Sequence, residues 1–331
     1  MRASESWRSA LNADPVPWLL EQETPAVRHL TLRWLLDEPE GSPRVRRARA
    51  AAMRADPIAA TLANQHPDGY WVKPGSGYGP KYTGTVWSLM FLDQLGADPR
   101  DRRIQRACAH VLDHTQAPGG GFGWDGTNSG AVHCLHGNLL HALVGFGWLD
   151  DERVKTAVEW QARSITGEGF DSWYRWATAG PGFACGINGG LPCAWGAIKA
   201  LRGLAATPAR RRTRLVRRAI ADGAEFLLSR DPAVADYPAE NKISPNWFKL
   251  GFPSGYVADM LQNLEVLSDL GHARDPRLSH AIEVVLSKQD DLGRWRNEYA
   301  YERTTWVPFE RVRSPSKWVT LRACRVLKAA L

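Results

Sequence analysis

Cysteine is scarce in this 331-residue chain. There are five, odd in number and scattered, which excludes the disulfide framework of a small secreted domain. No apolar run approaches the about eighteen residues that a bilayer-spanning helix needs. Residues 1–18 also lack the apolar core of a signal peptide. A cytoplasmic chain without a transmembrane segment is the expectation. Charge of one sign is lacking too: the net +7 is diffuse, and the one basic run, Arg210 to Arg218, reads as the solvated face of a helix. No nucleic-acid-binding motif accompanies it, so nucleic acid is not an expected partner. The basic balance leaves an anionic substrate, or peripheral contact with an anionic membrane face, open.

What is abundant is tryptophan. Fifteen of these bulky side chains imply aromatic staples, an aromatic-lined cavity, or both. A repeat is present as well. Apolar helices low in charge are expected over residues 26–36, 82–95, 132–147, 193–205, 255–270 and 317–331. Amphipathic helices with outward arginines are expected over 44–64, 100–116, 152–165, 210–230 and 277–288. Ser42-Pro43, Asp98-Pro99, Thr207-Pro208 and Asp275-Pro276 each read as a capping side chain followed by proline in the first turn, and Asp150-Asp151 as a cap without proline. Several amphipathic helices end in a glycine turn and an aromatic residue: Gln65 to Trp71, Gln289 to Trp295, the variant Gln116 to Phe122, and a decayed copy at Gly169-Phe170. Residues 7–22 supply a candidate sixth outer helix. Alternating hidden and surface helices form either an open solenoid or a closed double ring; six inner helices favour a closed (α/α)6 toroid, all-α, as one domain over residues 1–331. Charged loops at 233–244 and 296–314 are expected to cover one mouth.

The two Gln–Gly–Trp turns resemble the QW motif of triterpene cyclases. The whole repeat resembles the α/α-toroid superfamily of squalene–hopene cyclases and protein prenyltransferase β-subunits, in particular stand-alone bacterial prenyltransferase-like proteins. The resemblance implies an isoprenoid-like small-molecule substrate in an aromatic-lined central cavity. It does not bring the cyclase acid motif, because no Asp-x-Asp-Asp run is present, nor an Asp-Asp-x-x-Asp run for magnesium diphosphate. The zinc histidine segment of prenyltransferases is similar to Gly120-Gly121-Phe122 followed by His133-Cys134. Cys193 starts a helix as the zinc cysteine does, but Leu191 stands where that family has aspartate.

If residues 132–147 and 193–205 are consecutive inner helices, Cys134, Cys185 and Cys193 meet, and with His136 or His133 they supply a tetrahedral zinc set. The plain alternative is that the cysteines pack as small apolar groups. His133 and Asp259 are the candidate catalytic groups; Asp259, read as lying inside an apolar helix, is either a general acid or a loop anchor. His141 reads as a hydrogen-bonded core histidine. Lys81 and Lys317 begin inner helices and are candidates to hold an anion. Tyr82, Trp87, Trp195, Tyr256 and Trp318 are candidates to line the cavity. Two further readings stand beside the isoprenoid one. One is a lyase or hydrolase acting on a carbohydrate or peptide through Asp125, Asp171 or Glu298. The other is a binding toroid without catalysis. An empty aromatic lumen favours the isoprenoid enzyme, an open polar cleft the second enzyme class, and a packed lumen the scaffold.

Overall fold

The computed structural model describes residues 3–169, 179–241, 243–301 and 304–331. Phe170 and Asp171 lie outside the described residues. Those described form helices and turns, with isolated bridges but no strand among them. No helix is long and apolar enough to cross a membrane, again among the described residues.

After the short α1 (Val16–Leu19), all six apolar helices are present: α2 (Pro25–Trp34), α5 (Thr85–Gln94), α7 (His133–Gly145), α9 (Ala194–Ala206), α11 (Met260–Asp269) and α13 (Lys317–Ala330). The amphipathic partners are α3 (Pro43–Ala52) with α4 (Ile58–Ala63), α6 (Arg102–His114), α8 (Glu152–Thr166), α10 (Arg214–Leu228) and α12 (Ser279–Ser287). The expected helix over 44–64 is split because Pro57, with no N–H to donate, cannot continue it.

Four of the five amphipathic segments begin on a side chain that caps its own first turn and so satisfies N–H groups that the helix leaves open: Ser42, Asp101, Asp151 and Thr213. In the fifth, Asp275 caps the 3-10 turn Pro276–Leu278 that leads into α12. Two caps fall later than expected. Asp98 turns onto Arg100 instead, and Thr207-Pro208 leads into the 3-10 turn Ala209–Arg211 before α10 starts. Arg103, Arg153 and Arg277 fold back in a two-pronged bond onto the aspartate that caps their own turn.

The glycine turns act as clamps. Gln65 spans its own turn, donating to Gly69 O, and reaches the next outer helix at Arg103 O (2.8 Å). Gln116 does the same to Gly120 O and Arg153 O (2.8 Å). The aromatic residue then donates its backbone N–H to the next inner helix: Trp71 to Thr85 Oγ1, Phe122 to His136 Nδ1, Trp295 to Thr320 Oγ1. Trp71 and Trp295 each return their indole N–H to a carbonyl ten residues back, at Thr61 and Val285. In the last turn no further outer helix follows. Gln289 Oε1 accepts from Asn12 N–H (3.0 Å), and Gly293 lies against Ala13.

The inner helices pack in the order α5, α7, α9, α11, α13, α2, and Gly96, just beyond α5, lies on Leu30 of α2. Contacts pair like with like along the helices, His133 with Gly196 near one end and Asp93 with His141 at the other, so these helices run parallel. The seam between α7 and α9 is the tightest: a Cβ on Gly137 would sit 2.0 Å from Lys199 O, and one on Gly203 2.8 Å from Gly137 O. One continuous apolar core runs through the inner set from Trp7 to Leu327.

Candidate functional site

The loops that feed the inner helices fold over their N-terminal ends, and there the aromatic residues meet. Trp87 is fully buried, donates to Tyr78 O (2.8 Å), and has Tyr82 and Tyr256 each 4.9 Å away. Tyr82 stacks on Tyr301 at 4.2 Å, and Tyr78 on Tyr256 at 6.0 Å. From the loop after residue 296, Phe309 meets Phe91 at 5.5 Å, and Trp306 donates to Ser88 Oγ. Tyr82, Trp87 and Tyr256 are thus part of a packed plug. From the expected loop over 296–314, the described residues Tyr301, Trp306 and Phe309 pack against this end.

A second kind of surface lies at the opposite end. A cavity of ≈290 Å³ takes side chains from all six inner helices. Its ceiling is aromatic, Phe252 stacked on Trp318 at 4.4 Å, with Trp34 to one side. Its walls are charged. Asp93 of α5 bonds His141 Nδ1 of α7 (2.7 Å) and Arg202 of α9 (3.2 Å). Arg322 of α13 grips Glu265 of α11 with two bonds (2.9 and 2.6 Å), and Arg325 pairs with Asp269. Burial pushes the Asp93 carboxyl up, but the charge and hydrogen bond of His141 and the Arg202 guanidinium together hold it below the ordinary range. Glu265 is held low in the same way by Arg322, against its burial.

Buried polar residues stand beside the cavity. Lys199 is fully buried and donates to Gln262 Oε1; burial, aided by Arg202, pushes its amine down to about 7. Asp259 is not inside a helix, because α11 starts one residue later. It is the N-cap: Oδ1 accepts Gln262 N–H (2.8 Å) and Oδ2 accepts Gly251 N–H (3.3 Å), with Arg322 at 4.0 Å. Burial pushes its carboxyl up against the pull of Arg322. These bonds make it an anchor between loop and helix, 2% exposed and not among the residues that line the cavity.

The remaining sequence candidates fall elsewhere. His136 accepts from Phe122 N–H at Nδ1 (2.9 Å) and bonds Ala157 O at Nε2 (3.1 Å). His133 bonds Gly180 O at Nε2 (3.0 Å) and Gln161 at Nδ1 (3.1 Å). Burial lowers both imidazoles, to about 3 and about 4 respectively, so they stay neutral. Neither has a ring nitrogen left for a metal or a proton transfer. Cys134 is near Cys185 and Lys199, and burial pushes its thiol up to about 12. Among the described residues no three His, Cys, Asp or Glu side chains converge as a metal site. Cys134, Cys185 and Cys193 therefore find no free histidine nitrogen at His136 or His133 to complete a zinc set.

Lys317 turns outward to Glu21 (2.7 Å). The anion position at its helix start is filled from within by Glu310, which accepts Lys317 N–H (2.9 Å) and the Ser316 hydroxyl. Lys81 is exposed over the Tyr78 ring, 5.9 Å from its centre. Trp195 lines a groove on the loop side with Cys185 and Cys193. Asp125 braces its own turn through Thr127, and Glu298 pairs with Lys288 and accepts Leu250 N–H. Neither lines the cavity, and Asp171 is not described. Of the substrate-binding candidates only Trp318 reaches the cavity. His141, read as core, lines it too.

The reading missed Asp93, Arg202, Glu265, Arg322 and Arg325. A signal for most of them was present: Lys199 and Arg202, Glu265 and Asp269, Arg322 and Arg325 are charged pairs three or four residues apart on otherwise apolar helices, the spacing of one helix face.

Comparison with models of protein families gave no match, and neither did comparison with curated proteins. Solved structures similar to this chain include a substituted form of the type II terpene cyclase MstE from Scytonema in complex with merosterolic acid A, 14% identical over 85% of this chain and 96% of that one, TM-score 0.35. Another form of that cyclase, in complex with geranylgeranyl dihydroxybenzoate, is 13% identical over 85% and 97%, TM-score 0.34. A protein from Actinoplanes is 16% identical over 85% and 99%, TM-score 0.32. Each likeness is weak.

Proposed function

We propose that the six inner helices close into an (α/α)6 toroid of the cyclase and prenyltransferase kind, and that the chain is an enzyme acting on a small amphipathic ligand of the isoprenoid class. One observation carries the reading: the cavity draws on every inner helix and joins an aromatic ceiling to a charged wall. At ≈290 Å³ it sits at the small end of ligand pockets, which run from about 300 Å³ upward. A short prenyl chain suits it better than a long polyene.

The apolar body of such a ligand lies under Phe252, Trp318 and Trp34. The face of Trp34 already carries the Arg325 guanidinium, 4.6 Å from the ring centre, so this wall accommodates positive charge. The anionic head is held by Arg202 and Arg325. A guanidinium has five N–H donors, and their bonds to Asn138, Asp93 and Asp269 use only some of them. Asp93 orients His141 through Nδ1, and in the neutral form of the imidazole Nε2 would be the base for the proton that a prenyl cation sheds.

The same His141–Asp93 pair favours a second reading, a lyase acting on a small polar substrate, with other residues than Asp125 or Glu298. Calorimetry with dimethylallyl and geranyl diphosphate, against geraniol and pyrophosphate, separates the two. The isoprenoid reading expects a prenyl diphosphate to bind more tightly than either fragment, with affinity falling at least about tenfold in Arg202→Met. Binding of pyrophosphate alone, or of none of the four, would sink it.

A further inference from the structure

Cys185 and Cys193 stand at the two ends of a short hairpin on the loop side of α9. Ala184 pairs with Pro192, Cys185 N–H donates to Leu191 O (3.1 Å), and Cys193 N–H donates to Phe183 O (2.9 Å). This pairing brings the two side chains together, and their sulfurs share a hydrogen bond. The 3-10 turn Gly186–Asn188 follows Cys185, and Asn188 N–H donates to Cys185 O (2.9 Å). The Cys193 thiol first, and then the backbone N–H dipoles of that turn, hold Cys185 down at about 6 despite its burial. Cys193 is pushed well above the usual thiol range, by that same bond and then by burial. The shared bond makes Cys185 the more readily ionised member of the pair and Cys193 the one that keeps its proton.

Both sulfurs belong to half-buried residues that line a groove of ≈250 Å³. Ile187, Ile243, Pro238 and Trp195 give it apolar walls. A readily ionised thiol, an adjacent thiol and an apolar groove are the parts of a two-thiol reaction site.

We propose that Cys185 and Cys193 form a hydroperoxide-reactive pair, in which Cys185 attacks and Cys193 resolves the product into a disulfide. The Cys185 thiolate attacks the terminal oxygen of ROOH. An S–O bond forms, the O–O bond breaks, and RO⁻ leaves and takes a proton from water as ROH. The Cys193 thiol then attacks the sulfenic sulfur: the S–S bond forms, the S–O bond breaks, and hydroxide leaves with the Cys193 proton as water. The two sulfurs together give up two electrons, and the peroxide is reduced by two to the alcohol. The apolar walls suit an organic hydroperoxide.

The experiment treats the reduced protein with cumene hydroperoxide at pH 7 and maps cysteine states by mass spectrometry. In wild type the expected product is a Cys185–Cys193 cross-link, with the other three thiols free. In Cys193→Ser the sulfenic acid has no resolving thiol, so dimedone labels Cys185. In Cys185→Ser, oxidation at Cys193 is slower by at least about tenfold. The wild-type arm needs no substitution, so a variant that fails to fold does not blunt the test. Five free thiols after treatment, a disulfide through another cysteine, or Cys185→Ser oxidising as fast as wild type would each overturn the proposal.

Discussion

The two ends of the inner helices are built on opposite physics. At the N-terminal end, Trp87, Tyr82, Tyr256, Tyr301 and Phe309 are held by dispersion and area, with few bonds of fixed direction. At the C-terminal end, Asp93, Arg202, Glu265 and Arg322 are held by directional charge pairs around an empty volume. Rings pack against one another closely, while paired charges, each needing several partners in fixed directions, keep space between them. The difference accounts for a cavity that lies among the charges rather than among the stacked rings.

Breaking the charged end should cost most. Arg322→Met leaves Glu265 and Asp259 buried without their cation and should lower stability by about 3–5 kcal/mol in urea unfolding. A loss under about 1 kcal/mol would mean that this end tolerates bare carboxylates, and the contrast between the ends would fall. At the aromatic end, Trp87→Leu keeps an apolar filler and should cost about 2 kcal/mol, with no change in salt dependence.

Titration sharpens the contrast, because the ends respond with opposite sign. Asp93 and Glu265 are held low, so their contribution is full above the ordinary carboxyl range and is lost as pH falls through their folded values. Glu310, beside the plug, is pushed up to about 7 by burial, against its bonds from Ser316 and Lys317. Between its ordinary value of 4.5 and about 7 the folded chain keeps a proton that the unfolded chain has released, so stability falls as pH rises across that window. Glu310→Gln should flatten that slope, read from urea midpoints at pH 5 and 7.5; an unchanged slope would remove Glu310 as its cause. Least of all, Arg277→Ala on the outer surface should leave the midpoint unmoved, since its bonds to Asp275 and Glu225 are screened by water.

The repeat and its helices were legible because periodicity and turn chemistry are local. Six apolar helices and their partners can be read from spacing, and errors fell where a proline or a cap shifted a boundary, as at Pro57 and Asp259. The site was less legible, because where the cavity lies depends on what the loops do. Tyr301 and Phe309 pack against one end from a segment with no periodicity. His136 looked like a ligand because Cys134 is beside it, yet Phe122 and Ala157, fourteen and twenty-one residues away, take both its nitrogens. Conversely, Arg322 and Arg325 look like an ordinary amphipathic stripe until α11 is set opposite them.

The clamp of the last glycine turn on Asn12 and Ala13 has a consequence of its own. An array of stacked repeats exposes a bare face at each end, and natural arrays spend extra polar repeats covering them. Here Gln289 and Gly293 meet Asn12 and Ala13, 277 residues away along the chain, so this turn does not present a bare face. Removing either partner would uncover both surfaces at once, so residues 12–13 and 289–293 should lose their protection from hydrogen exchange together.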